Sequence, residues 1–107
     1  MTHTEDAQQV VRALMERGWH IAFAESCTAG LCAARLVDVP DASRVLDVSF
    51  VTYAESTKTE YLAVSPETIE RYGVVSEEVA AAMASGCAAR VGCEVAVGVT
   101  GFAGPSG

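Results

Sequence analysis

The feature that most constrains the fold is a short apolar run that stops abruptly at a group of polar side chains. The run Trp19–Ala24 predicts a buried strand, and Glu25-Ser26-Cys27-Thr28-Ala29-Gly30 follows it directly. A helical pattern then runs from Leu31 to Val37. A strand that feeds a helix in this way places the intervening polar groups at a helix N-terminus, where backbone N–H groups lack partners. In α/β proteins such a junction holds nucleophiles or anions. Taken alone, however, the junction is more often explained by Ser26 or Thr28 as a simple N-cap.

Apolar runs alternate with helical patterns along the rest of the chain. Two further strands are predicted at Val45–Tyr53 and Glu94–Thr100, and the latter is apolar on both faces, as a central parallel strand would be. Helices are predicted from Thr4, from about Ala29, over Glu55–Leu62, and after the N-cap serines Ser65 and Ser76. The Ala-rich last helix should pack closely on its neighbours. This alternation predicts a layered α/β/α domain with a mostly parallel sheet.

The chain of 107 residues is long enough for one domain, which we place at 1–107. Three strands make a thin sheet with an apolar edge that invites pairing. The sequence also ends on a Gly-rich loop, Gly101–Gly107, directly after a predicted strand. We therefore expect a domain that is truncated at its C-terminus or completed by another chain, with self-association into a homo-oligomer.

Composition excludes several classes of partner and site. A net charge of -7 argues against non-specific nucleic-acid binding, and neither a membrane span nor a signal peptide is visible, so we expect a cytoplasmic protein. The four cysteines form no CxxC pair and have no histidine nearby in the sequence, so we expect no metal site and no disulfide framework. Cys27 alone could be a reactive thiol at the helix N-terminus.

Polar residues at the ends of the predicted strands are the candidates for chemistry. Lys58 is the only lysine, whereas the chain has six arginines, and an amine can lose its proton when desolvated. Ser26 and Lys58 each follow a strand, so both should lie at the carboxyl edge of the sheet, as should Tyr53 and Thr100. A serine with a neutral lysine is a known nucleophile–base pair. Each residue also has a plain interpretation: surface lysine, packed aromatic, strand-end threonine.

At these residues the chain resembles the C-terminal domain of the CinA family, the nicotinamide-nucleotide amidohydrolases also called PncC. The resemblance covers essentially the whole chain and rests on four motifs in family order: Ala24-Glu25-Ser26-Cys27-Thr28-Ala29-Gly30, Val51-Thr52-Tyr53 with Lys58 beyond it, Gly73-Val74-Val75-Ser76-Glu77-Glu78-Val79-Ala80, and Val99-Thr100-Gly101-Phe102-Ala103-Gly104-Pro105. It implies hydrolysis of the carboxamide of nicotinamide mononucleotide to nicotinic acid mononucleotide and ammonia, without a cofactor.

The resemblance also implies roles for individual residues. The nucleophile falls on Ser26, the base on Lys58, an assisting tyrosine on Tyr53, and substrate contacts on Thr100. Backbone around Cys27, Thr28 and Gly30 is expected at the oxyanion, and Gly101 and Gly104 at the phosphate or ribose.

This chain departs from the family in two places. Ala29 stands where glycine is commoner, and the family pattern continues beyond Gly104-Pro105 to an arginine expected at the substrate. Two alternatives stay open: a catalytically silent nucleotide-binding or self-associating fragment, and a Cys27 thiol as the nucleophile.

Overall fold

The computed structural model describes residues 3–102, apart from the side chain of His3, as a three-stranded sheet between two layers of helices. Five helices and three strands follow one another in chain order: α1 (His3–Arg17), β1 (Ile21–Glu25), α2 (Leu31–Val37), β2 (Phe50–Val51), α3 (Glu55–Leu62), α4 (Pro66–Tyr72), α5 (Glu77–Val91) and β3 (Val95–Val99). A 3₁₀ turn, Ala42–Arg44, lies between α2 and β2. The strand order is β2-β1-β3 and both pairings are parallel. The predicted α/β/α architecture is therefore confirmed.

Alternation along β1 creates the two cores, one on each face of the sheet. Ile21 and Phe23 face α1 and α2, where they join a cluster with Val11, Leu14 and Leu36. Ala22 and Ala24 alternate with them along the strand and face α3 and α5 instead. That second cluster comprises Ala22, Ala24, Leu62, Val64, Val79, Met83 and Cys87. Every side chain of β1 is buried, so β1 is the centre of the domain.

Small residues let α5 approach its neighbours closely, as the Ala-rich pattern predicted. A Cβ built on Gly98 of β3 would lie 2.1 Å from the carbonyl oxygen of Ala80. One on Gly86 would lie 1.7 Å from the carbonyl oxygen of Leu62, at the end of α3. Real Cβ atoms do not approach backbone this closely, so both glycines are required for the helix to sit where it does.

Two of the strand predictions need correction. The segment Val45–Tyr53 is mostly irregular, because only Phe50–Val51 pairs with β1 and Leu46 makes a single bridge to Ile21. Val45 fills the core although it lies outside the paired residues of the ladder, since β propensity reflects packing more than hydrogen bonding. Among the described residues β3 pairs only with β1 and its side chains are half-buried, so β3 lies at the sheet edge and not at its centre.

The helix boundaries agree with the capping signals. The Ser65 and Ser76 hydroxyls accept hydrogen bonds from the N–H groups of Thr68 and Val79, which confirms both N-caps. Helix α2 begins at Leu31, slightly later than predicted. Over the described residues, no helix has the length and apolar character needed to cross a bilayer.

Candidate functional site

The end of β1 sends consecutive side chains to opposite faces of the sheet. Glu25 continues the alternation of Ile21 and Phe23 and turns its carboxylate toward α2. Ser26 follows on the other face, toward α3, while its N–H donates to the carbonyl oxygen of Val99 at 3.0 Å. The parallel ladder thus holds the backbone of Ser26 at the carboxyl edge of the sheet, where α/β proteins assemble their sites.

Lys58 reaches Ser26 from inside the protein. Its side chain is fully buried on α3, and its Nζ lies 3.0 Å from the Ser26 Oγ and 2.5 Å from the carbonyl oxygen of Thr52. Burial lowers the pKa of Lys58 below its ordinary value of 10.5, while the charges of Glu55 and Cys27 oppose that shift. A buried amine with a lowered pKa is easier to deprotonate, which is what a general base requires.

A cleft of about 220 Å³ opens over this pair. Six of the predicted site residues line it: Ser26, Cys27, Tyr53, Lys58, Thr100 and Gly101. Four further lining residues were not predicted as site residues: Glu55, Val74, Val75 and Phe102. Position after a strand was the signal for the first set, and the same signal applied to Phe102 would have found it. The other three depend on how α3 and the loop between α4 and α5 fold over the sheet edge.

The remaining predicted residues lie elsewhere or serve structural contacts. Thr28 donates its hydroxyl to the Glu25 carboxylate at 2.6 Å, and Gly30 is the N-cap residue of α2 with φ 97°; neither lines the cleft. Gly104 lies outside the described residues. Thr100 lines the cleft, but its hydroxyl donates to the carbonyl oxygen of Val74 at 2.8 Å, which ties the end of β3 to the cleft wall.

Glu25 is a residue of the junction whose role the sequence did not reveal. Its buried carboxylate accepts hydrogen bonds from the Thr28 hydroxyl and from the N–H groups of Cys32 and Ala33, at 2.6, 3.0 and 3.1 Å. Burial alone would raise the pKa of Glu25, but these donors outweigh it and lower that pKa below its ordinary value of 4.5. Glu25 therefore caps α2, and neither Ser26 nor Thr28 does so.

The cysteines and a larger groove complete the surroundings of the site. All four cysteines are free, and burial raises the pKa of the Cys87 thiol to about 11. Within residues 3–102, no cluster of three or more His, Cys, Asp or Glu side chains is placed to hold a metal.

A groove of about 660 Å³ lies next to the cleft and shares Glu55 and Val74 with it. Its lining also includes Pro66, Ile69 and Glu70.

Comparison with known proteins identifies relatives of this arrangement. Residues 3–107 match the family model described as the CinA C-terminal domain. A CinA-like protein of Akkermansia muciniphila is 51% identical over 98 residues, which are 92% of this chain and 24% of that protein. A CinA-like protein of Chlorobium phaeobacteroides is 53% identical over 94 residues, 88% of this chain and 22% of that protein. The chain thus spans about a quarter of the length of these relatives.

Solved structures agree with this assignment. The CinA superfamily protein of Escherichia coli matches with a TM-score of 0.95 at 35% identity, over 99% of this chain and 62% of that chain. The competence damage-inducible protein A of Klebsiella pneumoniae matches with a TM-score of 0.95 at 38% identity, over 100% of this chain and 66% of that chain. The resemblance seen in the motifs is confirmed, and the chain belongs to the CinA C-terminal domain family.

Proposed function

We propose that this protein hydrolyses the carboxamide of nicotinamide mononucleotide to nicotinic acid mononucleotide and ammonia, with Ser26 as nucleophile and Lys58 as base. The observation that carries the proposal is the 3.0 Å contact between the buried Lys58 Nζ and the Ser26 Oγ. The pyridine-nucleotide substrate comes from the family resemblance. The cleft adds support, because it is open to solvent on the side of Tyr53 and Phe102 and closed behind Lys58.

The first step is attack by the Ser26 oxygen on the carboxamide carbon. The neutral Lys58 amine accepts the hydroxyl proton as the new C–O bond forms, which gives a tetrahedral intermediate and an ammonium group. General-base assistance of this kind contributes about 10²- to 10⁴-fold. The carbonyl oxygen of Thr52 holds the lysine nitrogen in place in both protonation states, since the amine and the ammonium each have an N–H to donate.

Backbone N–H groups beside Ser26 are the candidates for stabilising the oxyanion. Glu25 already occupies those of Cys32 and Ala33, and the Ser26 carbonyl accepts from Ala29. In the described part of the chain, the N–H of Cys27 has no acceptor and adjoins the nucleophile. Loss of one such donor typically costs about 10²- to 10³-fold in rate.

The second half of the reaction reverses the proton transfer. The Lys58 ammonium returns its proton to the carboxamide nitrogen, the C–N bond breaks, and ammonia leaves an ester on Ser26. Water then attacks that ester while Lys58 takes its proton, and the serine oxygen leaves with the proton from Lys58. Atoms balance as amide plus water giving carboxylic acid plus ammonia. We place Tyr53, Thr100 and Gly101 at the substrate in this scheme.

Ammonia release from nicotinamide mononucleotide tests the proposal, using this chain and a version extended to the length of its solved relatives. Ser26→Ala and Lys58→Met should each reduce the rate at least about a thousandfold. Ser85→Ala, an exposed serine on α5, is the matched control and should leave the rate unchanged. An extended Ser26→Ala protein that still releases ammonia at the original rate would refute the nucleophile assignment. Full activity in Cys27→Ser would exclude the thiol alternative.

The silent-fragment alternative makes a different prediction in the same experiment. The chain covers 62% and 66% of the two solved structures compared above, and this alternative places a substrate contact in the part of those proteins that the chain does not cover. In that case this chain would bind nicotinamide mononucleotide without turnover, and the extended version would release ammonia. Light scattering of both versions tests the predicted homo-oligomer.

A further inference from the structure

The mouth of the cleft combines two exposed aromatic residues with a carboxylate. Tyr53 is 61% exposed and Phe102 is 73% exposed, and both line the cleft together with Glu55. Large aromatic side chains are usually at least half-buried, because exposure forfeits their hydrophobic stabilisation. Two of them at one opening, beside a negative charge, match the chemistry that binds organic cations.

The charges around the opening favour a positive ligand. Lys58 is the only basic residue among those that line the cleft, and its nitrogen is buried against Ser26 and the Thr52 carbonyl. Glu55 is exposed at the first position of α3. The neighbouring groove adds a second carboxylate, Glu70. A cationic group at this mouth is therefore favoured over a neutral one.

We propose that Tyr53, Glu55 and Phe102 recognise the positive charge of a pyridinium ring, so that the cleft selects N-substituted pyridinium carboxamides over neutral ones. A nicotinamide whose ring nitrogen carries a substituent has a fixed positive charge, whereas free nicotinamide has none. The aromatic faces attract the cation through their quadrupoles and the carboxylate attracts it directly. This inference rests on the proposed function for the position of the carboxamide next to Ser26.

The inference assigns Glu55 a role in specificity that is separate from chemistry at Ser26. Its carboxylate contacts the charge of the ring and takes no proton from the reacting groups. It follows that neutralising Glu55 should weaken binding of a charged ligand and leave binding of its neutral counterpart unchanged. The same neutralisation also removes one influence that raises the pKa of Lys58. Less positive charge on Lys58 favours the cationic ligand, so this effect opposes the expected fall in the affinity ratio and does not produce it.

The test compares 1-methylnicotinamide with nicotinamide, which share the carboxamide and differ by one methyl group and the charge. Dissociation constants are measured by NMR titration with the Ser26→Ala protein, so that no ligand is consumed. We expect the cation to bind at least about tenfold more tightly, and Glu55→Gln to reduce that ratio about three- to tenfold. Phe102→Leu, which keeps an apolar side chain without the ring, should also reduce it.

The matched control is Glu60→Gln, an exposed carboxylate on the same helix that lines neither cavity. It should leave the ratio unchanged, because long-range loss of one negative charge is screened by salt. Equal affinities for the two ligands, an undiminished ratio in Glu55→Gln, or no binding of either ligand would each overturn the inference.

The outcomes also separate this inference from the proposed function. Ammonia release from nicotinamide mononucleotide without a preference for the cation would leave the amidase proposal standing and remove the role of Glu55. A Glu55-dependent preference for the cation in a protein that releases no ammonia, even when extended, would do the reverse.

Discussion

Replacement of Glu25 by alanine should destabilise the protein by about 3 kcal/mol, because it removes the acceptor of three hydrogen bonds at once. The carboxylate is fully buried, and its donors are the Thr28 hydroxyl and the N–H groups of Cys32 and Ala33. Hydrogen bonds to a charged group contribute about 1.5–3 kcal/mol each when the unpaired donor stays dry. Water can reach a helix N-terminus, so we take about 1 kcal/mol per donor, in line with measured N-cap losses.

Urea denaturation followed by circular dichroism measures this loss. Glu77→Ala is the control, since Glu77 is an exposed acid in the first turn of α5 and should cost only about 0.3–1 kcal/mol. Thr28→Val removes a single donor and should cost about 1 kcal/mol. The double variant should lose less than the sum, because both changes break the same bond. A loss below about 1 kcal/mol for Glu25→Ala would refute the capping role.

The pH dependence of stability gives an independent check on the ionised state of Glu25. Its pKa in the folded protein lies below 4.5 because the donors outweigh the effect of burial. The stabilisation is therefore fully present above the unfolded pKa and is lost as pH falls through the lower folded pKa. The stability difference between the original protein and Glu25→Ala should shrink on acidification below about pH 4.5. A difference that is constant down to the acid transition would contradict the lowered pKa.

Three other substitutions, one of them compared with a control at Ala81, test the backbone and the buried amine. Ala29→Gly should stabilise the protein by about 1 kcal/mol in thermal unfolding because Ala29 has φ 53°, whereas Ala81→Gly in the body of α5 should destabilise it by about as much. Gly86→Ala should prevent α5 from packing against the Leu62 carbonyl and leave little folded protein by circular dichroism, a loss of more than about 3 kcal/mol. A lysine whose pKa is lowered in the folded state makes the protein more stable as pH rises toward 10.5. Lys58→Met should abolish that rise, and urea titrations in alkaline buffers measure it.

Sequence periodicity predicted the architecture because the strongly patterned elements are also the structurally dominant ones. The apolar run before Glu25 became the central strand, and the cap serines Ser65 and Ser76 marked where α4 and α5 begin. These signals are local, since a cap or a buried strand is specified by residues within one or two turns of it. The shared edge of the parallel strands then placed Ser26 beside Lys58 without any further information.

The features that escaped prediction depend on contacts between distant segments. Nothing local distinguishes Val45–Leu46, which fill the core, from Phe50–Val51, which pair with β1. Glu25 looked like a polar residue near a nucleophile, because the N–H groups that it accepts from lie seven and eight residues further along the chain. The positions of Val74 and Val75 against the cleft likewise depend on how the loop before α5 folds.

The two halves of the candidate dyad are positioned by the periods of their own elements. On β1, the alternation of a strand sends Glu25 to cap α2 and sends Ser26 to the opposite face. On α3, Lys58 and Leu62 are four residues apart and both fully buried, so the lysine occupies a core position of the helix. A lysine at such a position pays a desolvation cost that packing alone does not require. A one-residue shift in β1 would exchange the faces and bring the carboxylate toward the amine as an ion pair. The protein instead keeps a hydroxyl opposite the buried amine, which is the pairing that nucleophilic catalysis uses.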